Sequence, residues 1–254
     1  LSQLAAFHGA FRLADAERVI VLESGESAVD IVEDLVNRSM IERIDRTTFR
    51  LFQTIYGMAE QELHETSSCE EVYRRHAEHF VDLILRSPRY ERGSYRKVLP
   101  DLRLAAERTQ GELFIAVLAA TASILAETGD VALMLQGIVQ AADSAALGEH
   151  AAELQYAAAS GFLDEMNGPQ ALEYSVRAAA SAEAAGHEEL RCLSLITQGL
   201  ALFMGNRSEE AIQSLETALT VARAVNSVQG EIKARSTPGL VLSSLDREPD
   251  AQEH

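Results

Sequence analysis

His76 and His79 stand three residues apart, so a helix carries both imidazoles on one face, where a third ligand such as Glu78 or His64 would complete a metal site. On a regular helix Glu78 points away from the pair, and a His pair without a partner motif reads as a packing or surface feature. Cys69 and Cys192 match no metal or redox spacing, and two distant thiols suit a reducing compartment. Cys69 sits at a helix start, where the positive helix end favours a thiolate, but the adjacent Glu70 and Glu71 oppose it. The chain has no Gly-x-x-x-x-Gly-Lys-Ser/Thr phosphate loop, and neither of its two lysines, Lys97 and Lys233, follows a glycine-rich turn. The expectation is therefore a segment with no catalytic, metal-binding or cofactor-binding residues.

The elements around these residues can be read from their periodicity. Ser27 and Asp30 form a capping pattern, and Val29, Ile31, Val32, Leu35 and Val36 give an apolar face, predicting a helix over 28–38. Residues 40–44 and 49–52 alternate around Asp45-Arg46-Thr47-Thr48, the pattern of a short hairpin with one buried face. Helix resumes at Thr54 with the stripe Ile55, Met58, Ala59 and Leu63. After a second capping pattern at Ser68-Cys69-Glu70-Glu71, a long helix carrying Val72, Ala77, Phe80 and Ile84 runs toward Ser87-Pro88. The order predicts a winged-helix-like module with a small β-hairpin over 1–66, then a connecting helix and basic turn over 67–97.

The remainder reads as repeats. Residues 128–133 superpose on 167–172 at a shift of 39, and Gly161 and Gly199 recur at 38, periods that mean helical hairpins. Gly199, Ala211, Leu215 and Ala218 have the spacing of small and apolar positions in a tetratricopeptide repeat, where a glycine lets two helices approach and a larger residue fills the gap. Gly161, Ala171 and Ala178 form a weaker copy with Ser175 in the large residue's place. Predicted helices lie near 113–126, 131–147, 151–166, 169–185, 188–204, 208–225 and 229–245. The fold class expected is mainly α, with the winged-helix-like module followed by an antiparallel, tetratricopeptide-like (TPR-like) superhelical array over 98–245 and a disordered tail over 246–254.

Charge narrows the partners. The chain carries a formal −17, with 20 acidic against 7 basic residues over 109–254, which disfavours phosphate backbones and anionic membranes. The longest apolar stretch, 113–126, falls short of the roughly 20 residues of a membrane helix and contains Thr121 and Ser123. With no signal peptide visible, a cytoplasmic location is expected. Arg86, Arg89, Arg92, Arg96 and Lys97, interleaved with Tyr90 and Tyr95, make a basic contact cluster that could meet phosphates or an acidic surface. The helix that would enter a DNA groove, 28–38, carries Asp30, Glu33 and Asp34, so nucleic acid is disfavoured as a partner. In the array, Gln155, Phe162 and Glu165, with Ile196, Leu200 and Phe203, are the candidate residues of a groove that binds a protein, peptide or small inducer.

The ordered blocks Leu1-Ser2, Phe7-x-Gly9-x-Phe11, Leu35-Val36-Asn37-Arg38-Ser39, Phe49-Arg50-Leu51 with Thr54-Ile55, and Arg75-His76-Ala77-Glu78-His79-Phe80 resemble the segment that follows the ATPase core in bacterial STAND-type regulators. These are signal-transduction ATPases often described as LuxR-family transcriptional regulators. The resemblance covers residues 1–107 and implies a regulatory arm that couples an upstream nucleotide-binding domain to sensing repeats, with ATP or ADP and Mg held only by that upstream domain. It also implies that this sequence is part of a longer chain. The alternatives are a stand-alone TPR-type scaffold and a winged-helix DNA-binding regulator.

Overall fold

A computed structural model describes residues 1–22, 26–144 and 147–245, with side chains at all of these except 133, 229 and 238–245. The expected tail, 246–254, lies outside the described residues. The chain is mainly helical with a small three-stranded antiparallel sheet. It divides into two compact units, Leu1–Ile124 and Leu125–His254, so the packing boundary falls later than the expected start of the array at 98.

The first unit opens with a 3-10 turn, Ser2–Ala6, followed by β1 (Phe11–Arg12), α1 (Leu13–Val19), α2 (Ala28–Asn37), β2 (Ile41–Arg43), β3 (Thr48–Leu51), α3 (Gln53–Glu65) and α4 (Cys69–Leu85). The Ser27 hydroxyl accepts from the Val29 amide at the start of α2, as its capping pattern predicts. The hairpin forms where alternation placed it, turned by Asp45, whose Oδ1 accepts the Thr47 and Thr48 amides at 2.9 Å each. A third strand was hidden in the sequence because β1 is two residues long. It pairs with β3 through Phe11 and Phe49, giving the order β1-β3-β2. Phe11, Ile41, Phe49 and Leu51 point to the core, while Phe52 leaves the alternation and stands 41% exposed at the start of α3.

Helix α4 holds this unit together through two polar clamps. His79 Nε2 lies 2.9 Å from Asp15 Oδ1, and Asp15 Oδ2 accepts the Arg12 amide at 2.9 Å. His76, fully enclosed between the rings of Phe7 and Phe80, lies 3.4 Å from Asp101 Oδ1, which also accepts the His8 amide at 2.8 Å. The imidazole pair is thus split between two carboxylates, and the Arg-His-Ala block is a packing element. Ser68 departs from its expected role: its hydroxyl bonds Thr66 Oγ1 and does not cap α4. Next come α5 (Arg89–Arg92), a 3-10 helix Gly93–Val98, α6 (Leu99–Arg108) and α7 (Gly111–Thr128). Helix α7 is long and apolar enough to cross a membrane by length and composition, but 61% of it is buried inside the structure. Its Thr121 and Ser123 hydroxyls bond the carbonyls of Val117 and Ala120, which satisfies them without water.

The second unit contains α8 (Leu135–Ala142), α9 (Ala151–Asp164), α10 (Gly168–Ala184), α11 (Glu188–Met204), α12 (Ser208–Ala224) and α13 (Val228–Leu245). The expected helix over 131–147 is instead a 3-10 turn, Val131–Leu133, followed by the short α8, which ends at Ala142. That end is capped from α10: Arg177 donates to the Ala142 carbonyl and to Asp143, and Tyr174 donates to Asp143 Oδ2, each at 2.8 Å. From α9 onward each helix packs antiparallel on the next, and α11 also touches both α9 and α13. The turns are alike. Met166, Gly186, Asn206 and Asn226 all adopt positive φ, 20 residues apart, and in each turn the following amide reaches back five residues to a carbonyl of the ending helix. The structural period is therefore 20 residues per helix and 40 per pair, not 38 or 39.

Candidate functional site

Helix pairs need small residues where their axes approach, and the glycines identify two such places. A Cβ at Gly199 of α11 would stand 2.7 Å from Leu215 Cγ on α12, so glycine and leucine interlock across this pair as their spacing predicts. Gly161 of α9 differs: its missing Cβ makes room for Leu135 and Val131 of the preceding segment, and not for its own partner α10. The weaker copy was thus misaligned by two residues at this glycine.

With α10 and α12 on either side of α11, a cleft of about 330 Å³ opens between them. Its apolar wall is Leu172, Val176, Leu195 and Leu202. Gln198 and Gln213 offer side-chain amides, Thr217 donates its hydroxyl to the Gln213 carbonyl at 2.8 Å, and Arg207 and Glu210 are tied to each other by bonds of 2.6 and 2.7 Å. Ser214 is committed to the Leu195 carbonyl. Such a lining has no nucleophile–base pair; it has an apolar wall for side chains and free amides for a peptide main chain.

The six residues expected to line a groove on α9 and α11 are not brought together as a surface. Gln155 is buried and accepts from Ser181 Oγ at 2.8 Å, and Phe162 stacks beside Tyr174 at 5.5 Å, so both face into the α9–α10 pair. Ile196 is buried, and Leu200 and Phe203 pack against the same core, leaving Glu165 as the exposed member. Helical spacing identified an apolar face correctly, but burial between helices and exposure in a groove share that spacing.

The basic cluster is also divided. Arg89 and Arg92 are buried, and Arg92 donates to the carbonyls of Leu85 and Ser87 at 2.8 and 3.2 Å, closing the end of α4. Arg86 is exposed and paired with Asp82 at 3.0 Å; Arg96 and Lys97 are exposed on the 3-10 helix. A Ser-x-x-Lys spacing, Ser94 to Lys97, lies on that same exposed turn. The cluster's two central arginines therefore serve the fold.

No three His, Cys, Asp or Glu side chains converge on a metal position among the described residues. One grouping that the sequence did not reveal joins the end of α3 to the start of α4. Cys69 Sγ lies 3.7 Å from His64 Nδ1, and His64 Nε2 lies 3.5 Å from Tyr73 Oη. Each residue was visible separately; the tight turn at 66–68 that folds α4 back beside α3 is what joins them. Compared with protein-family models, with curated proteins and with solved structures, the chain matches none.

Proposed function

We propose that this chain is a non-catalytic regulatory segment of a STAND-type ATPase signalling protein or transcriptional regulator. In this reading the first unit is a winged-helix-like arm coupled to an upstream nucleotide-binding domain, and the second is a TPR-like array that binds a protein or peptide. The element order supports the arm: one helical turn, a strand, two helices and a hairpin, with strands in the order β1-β3-β2, follow one another as a winged helix would require. The array is supported by the helix contacts, since alternate helices α9, α11 and α13 touch in succession while α9 packs on α10 and α11 on α12 as hairpin partners.

The observation that carries the binding role is the cleft between α10 and α12. Its apolar wall, bounded by unpaired glutamines, suits an extended peptide that buries one or two side chains and bonds its main chain to Gln198 and Gln213. DNA reading by the arm is disfavoured, because Asp30, Glu33 and Asp34 lie on the exposed face of α2 and would meet phosphates. A photo-crosslinking amino acid placed at Val176, which lines the cleft and is 46% exposed, is expected to capture a defined protein partner in the native host. The same group at Val29 on α2 should not. Capture at neither position, together with salt-sensitive duplex binding, would instead favour the DNA-regulator alternative. Reading the coding sequence upstream separates the regulator from a stand-alone scaffold, since only the regulator requires a phosphate loop there.

A further inference from the structure

The cavity at the junction of α3 and α4 contains a nucleophile and a base that the proposed regulatory role does not use. It is an open pocket of about 560 Å³ lined by His64, Thr66, Ser67, Cys69, Glu70, Tyr73 and Arg108. Cys69 is the first residue of the 17-residue α4 and is partly exposed to this space. With Nε2 protonated and directed at Tyr73 Oη, 3.5 Å away, the His64 ring presents its Nδ1 lone pair to Cys69 Sγ at 3.7 Å. Tyr73 is held in place by Arg108, whose guanidinium stacks 3.8 Å from the ring centre while Nη2 donates to Glu60 at 2.8 Å. Burial pushes the Tyr73 phenol up, so it stays protonated and fixes the ring's orientation without adding charge. Arg108 Nη1 is enclosed and has no hydrogen-bond partner among the described residues, leaving a donor of this wall unspent.

We propose that Cys69 and His64 form a covalent capture site for small α,β-unsaturated carbonyl compounds that carry no negative charge. His64 Nδ1 takes the thiol proton as sulfur bonds to the β-carbon. The alkene π pair shifts into the bond between the α-carbon and the carbonyl carbon as the carbonyl π pair moves onto oxygen, and the proton then returns from His64 to the α-carbon as the carbonyl re-forms, so the thiol S–H has added across the double bond with nothing released. The charges around the pocket disfavour anionic compounds. Arg108 is paired with Glu60, Glu71 shares Arg74 with Glu78, and Glu70 stands on the wall to repel a carboxylate.

The test is labelling of the whole chain with N-ethylmaleimide near neutral pH, followed by intact mass and peptide mapping. Cys192 provides an internal reference, because it is fully enclosed and burial pushes its thiol up to about 11. Cys69 is expected to react at least about tenfold faster than glutathione, and His64→Asn, a change at an exposed position, to return it to the glutathione rate with an unchanged circular dichroism spectrum. A maleimide bearing a carboxylate should react more slowly than the neutral one. Reaction no faster than glutathione, or a His64→Asn rate equal to wild type, overturns the proposal; equal rates for the two maleimides overturn its selectivity.

Discussion

Gly199→Ala tests the interlock of α11 and α12 most directly, because its sign depends on what stands opposite. The added Cβ would sit 2.7 Å from Leu215 Cγ, 2.8 Å from Cδ2 and 3.3 Å from the Ala211 carbonyl. Carbon atoms pack at about 3.5–4.0 Å, so Leu215 must retreat by about 1 Å inside a fully buried site. Overpacking of this kind costs about 1–3 kcal/mol, while replacing a mid-helix glycine with alanine returns about 1 kcal/mol, for a net loss of about 1 kcal/mol. Leu215→Ala alone costs about 2–5 kcal/mol by leaving a cavity. In that background the clash with Leu215 is gone and only the 3.3 Å approach to the Ala211 carbonyl remains, so Gly199→Ala should become stabilising by about 1 kcal/mol, a coupling of about 2 kcal/mol. Urea unfolding followed by far-ultraviolet circular dichroism measures all four proteins. Gly57→Ala serves as the control: Gly57 lies inside α3 with nothing within 4 Å of its would-be Cβ, and the change should stabilise by about 0.5–1 kcal/mol. If Gly199→Ala has the same sign with and without Leu215, the close approach is not what fixes glycine there.

Other perturbations follow from the clamps, the arginines and the turns. Burial pushes Asp15 up, but hydrogen bonds from His79 and Arg12 outweigh it and hold the carboxyl below its ordinary value. Its contribution is thus present above the unfolded-state value of about 3.9 and lost as pH falls through the folded one, and Asp15→Asn should flatten the acid-unfolding curve there. For His76 burial lowers the pKa against the opposing pull of Asp101, so that contribution is full above about 6.5 and fades as pH falls below it; His76→Gln should remove this earlier loss in a series of thermal melts. Arg92→Ala, which strips donors from the Leu85 and Ser87 carbonyls, should cost about 1–3 kcal/mol, whereas Arg86→Ala at an exposed pair should shift the urea midpoint little. Met166 takes a left-handed conformation while 74% exposed, so Met166→Gly should stabilise the second unit by about 1 kcal/mol; an unchanged or lowered melting temperature would contradict the strain assigned to that turn.

Where several local signals agreed, the structure was legible in the residues. Caps, apolar stripes and breakers together located the last five helices to within a few residues, and Gly199 with Leu215 were paired correctly from spacing alone. The features that were missed depend on contacts distant in sequence. Strand β1 is too short to show alternation and exists because β3 is there to pair with Phe11. Gly161 looked like a copy of Gly199 because a small residue was needed at both, yet its neighbours come from a different segment. Arg89 and Arg92 read as surface charge until the end of α4 supplied carbonyls to bury them against. The apolar faces of α9 and α11 were recognised, but whether such a face meets another helix or a ligand is decided by neighbours that no single helix encodes.

The four evenly spaced turns after α9, α10, α11 and α12 make the chain interchangeable at matched points. The junction after α10, at Gly186, and the junction after α12, at Asn226, use the same left-handed residue and the same backward-reaching amide. Excising 187–226 would join α10 to α13 through a turn already built for such a join, so loss of a 40-residue block should be better tolerated than loss of a handful of residues inside any one helix. A protein assembled this way can lengthen or shorten by whole pairs while each seam keeps its wiring.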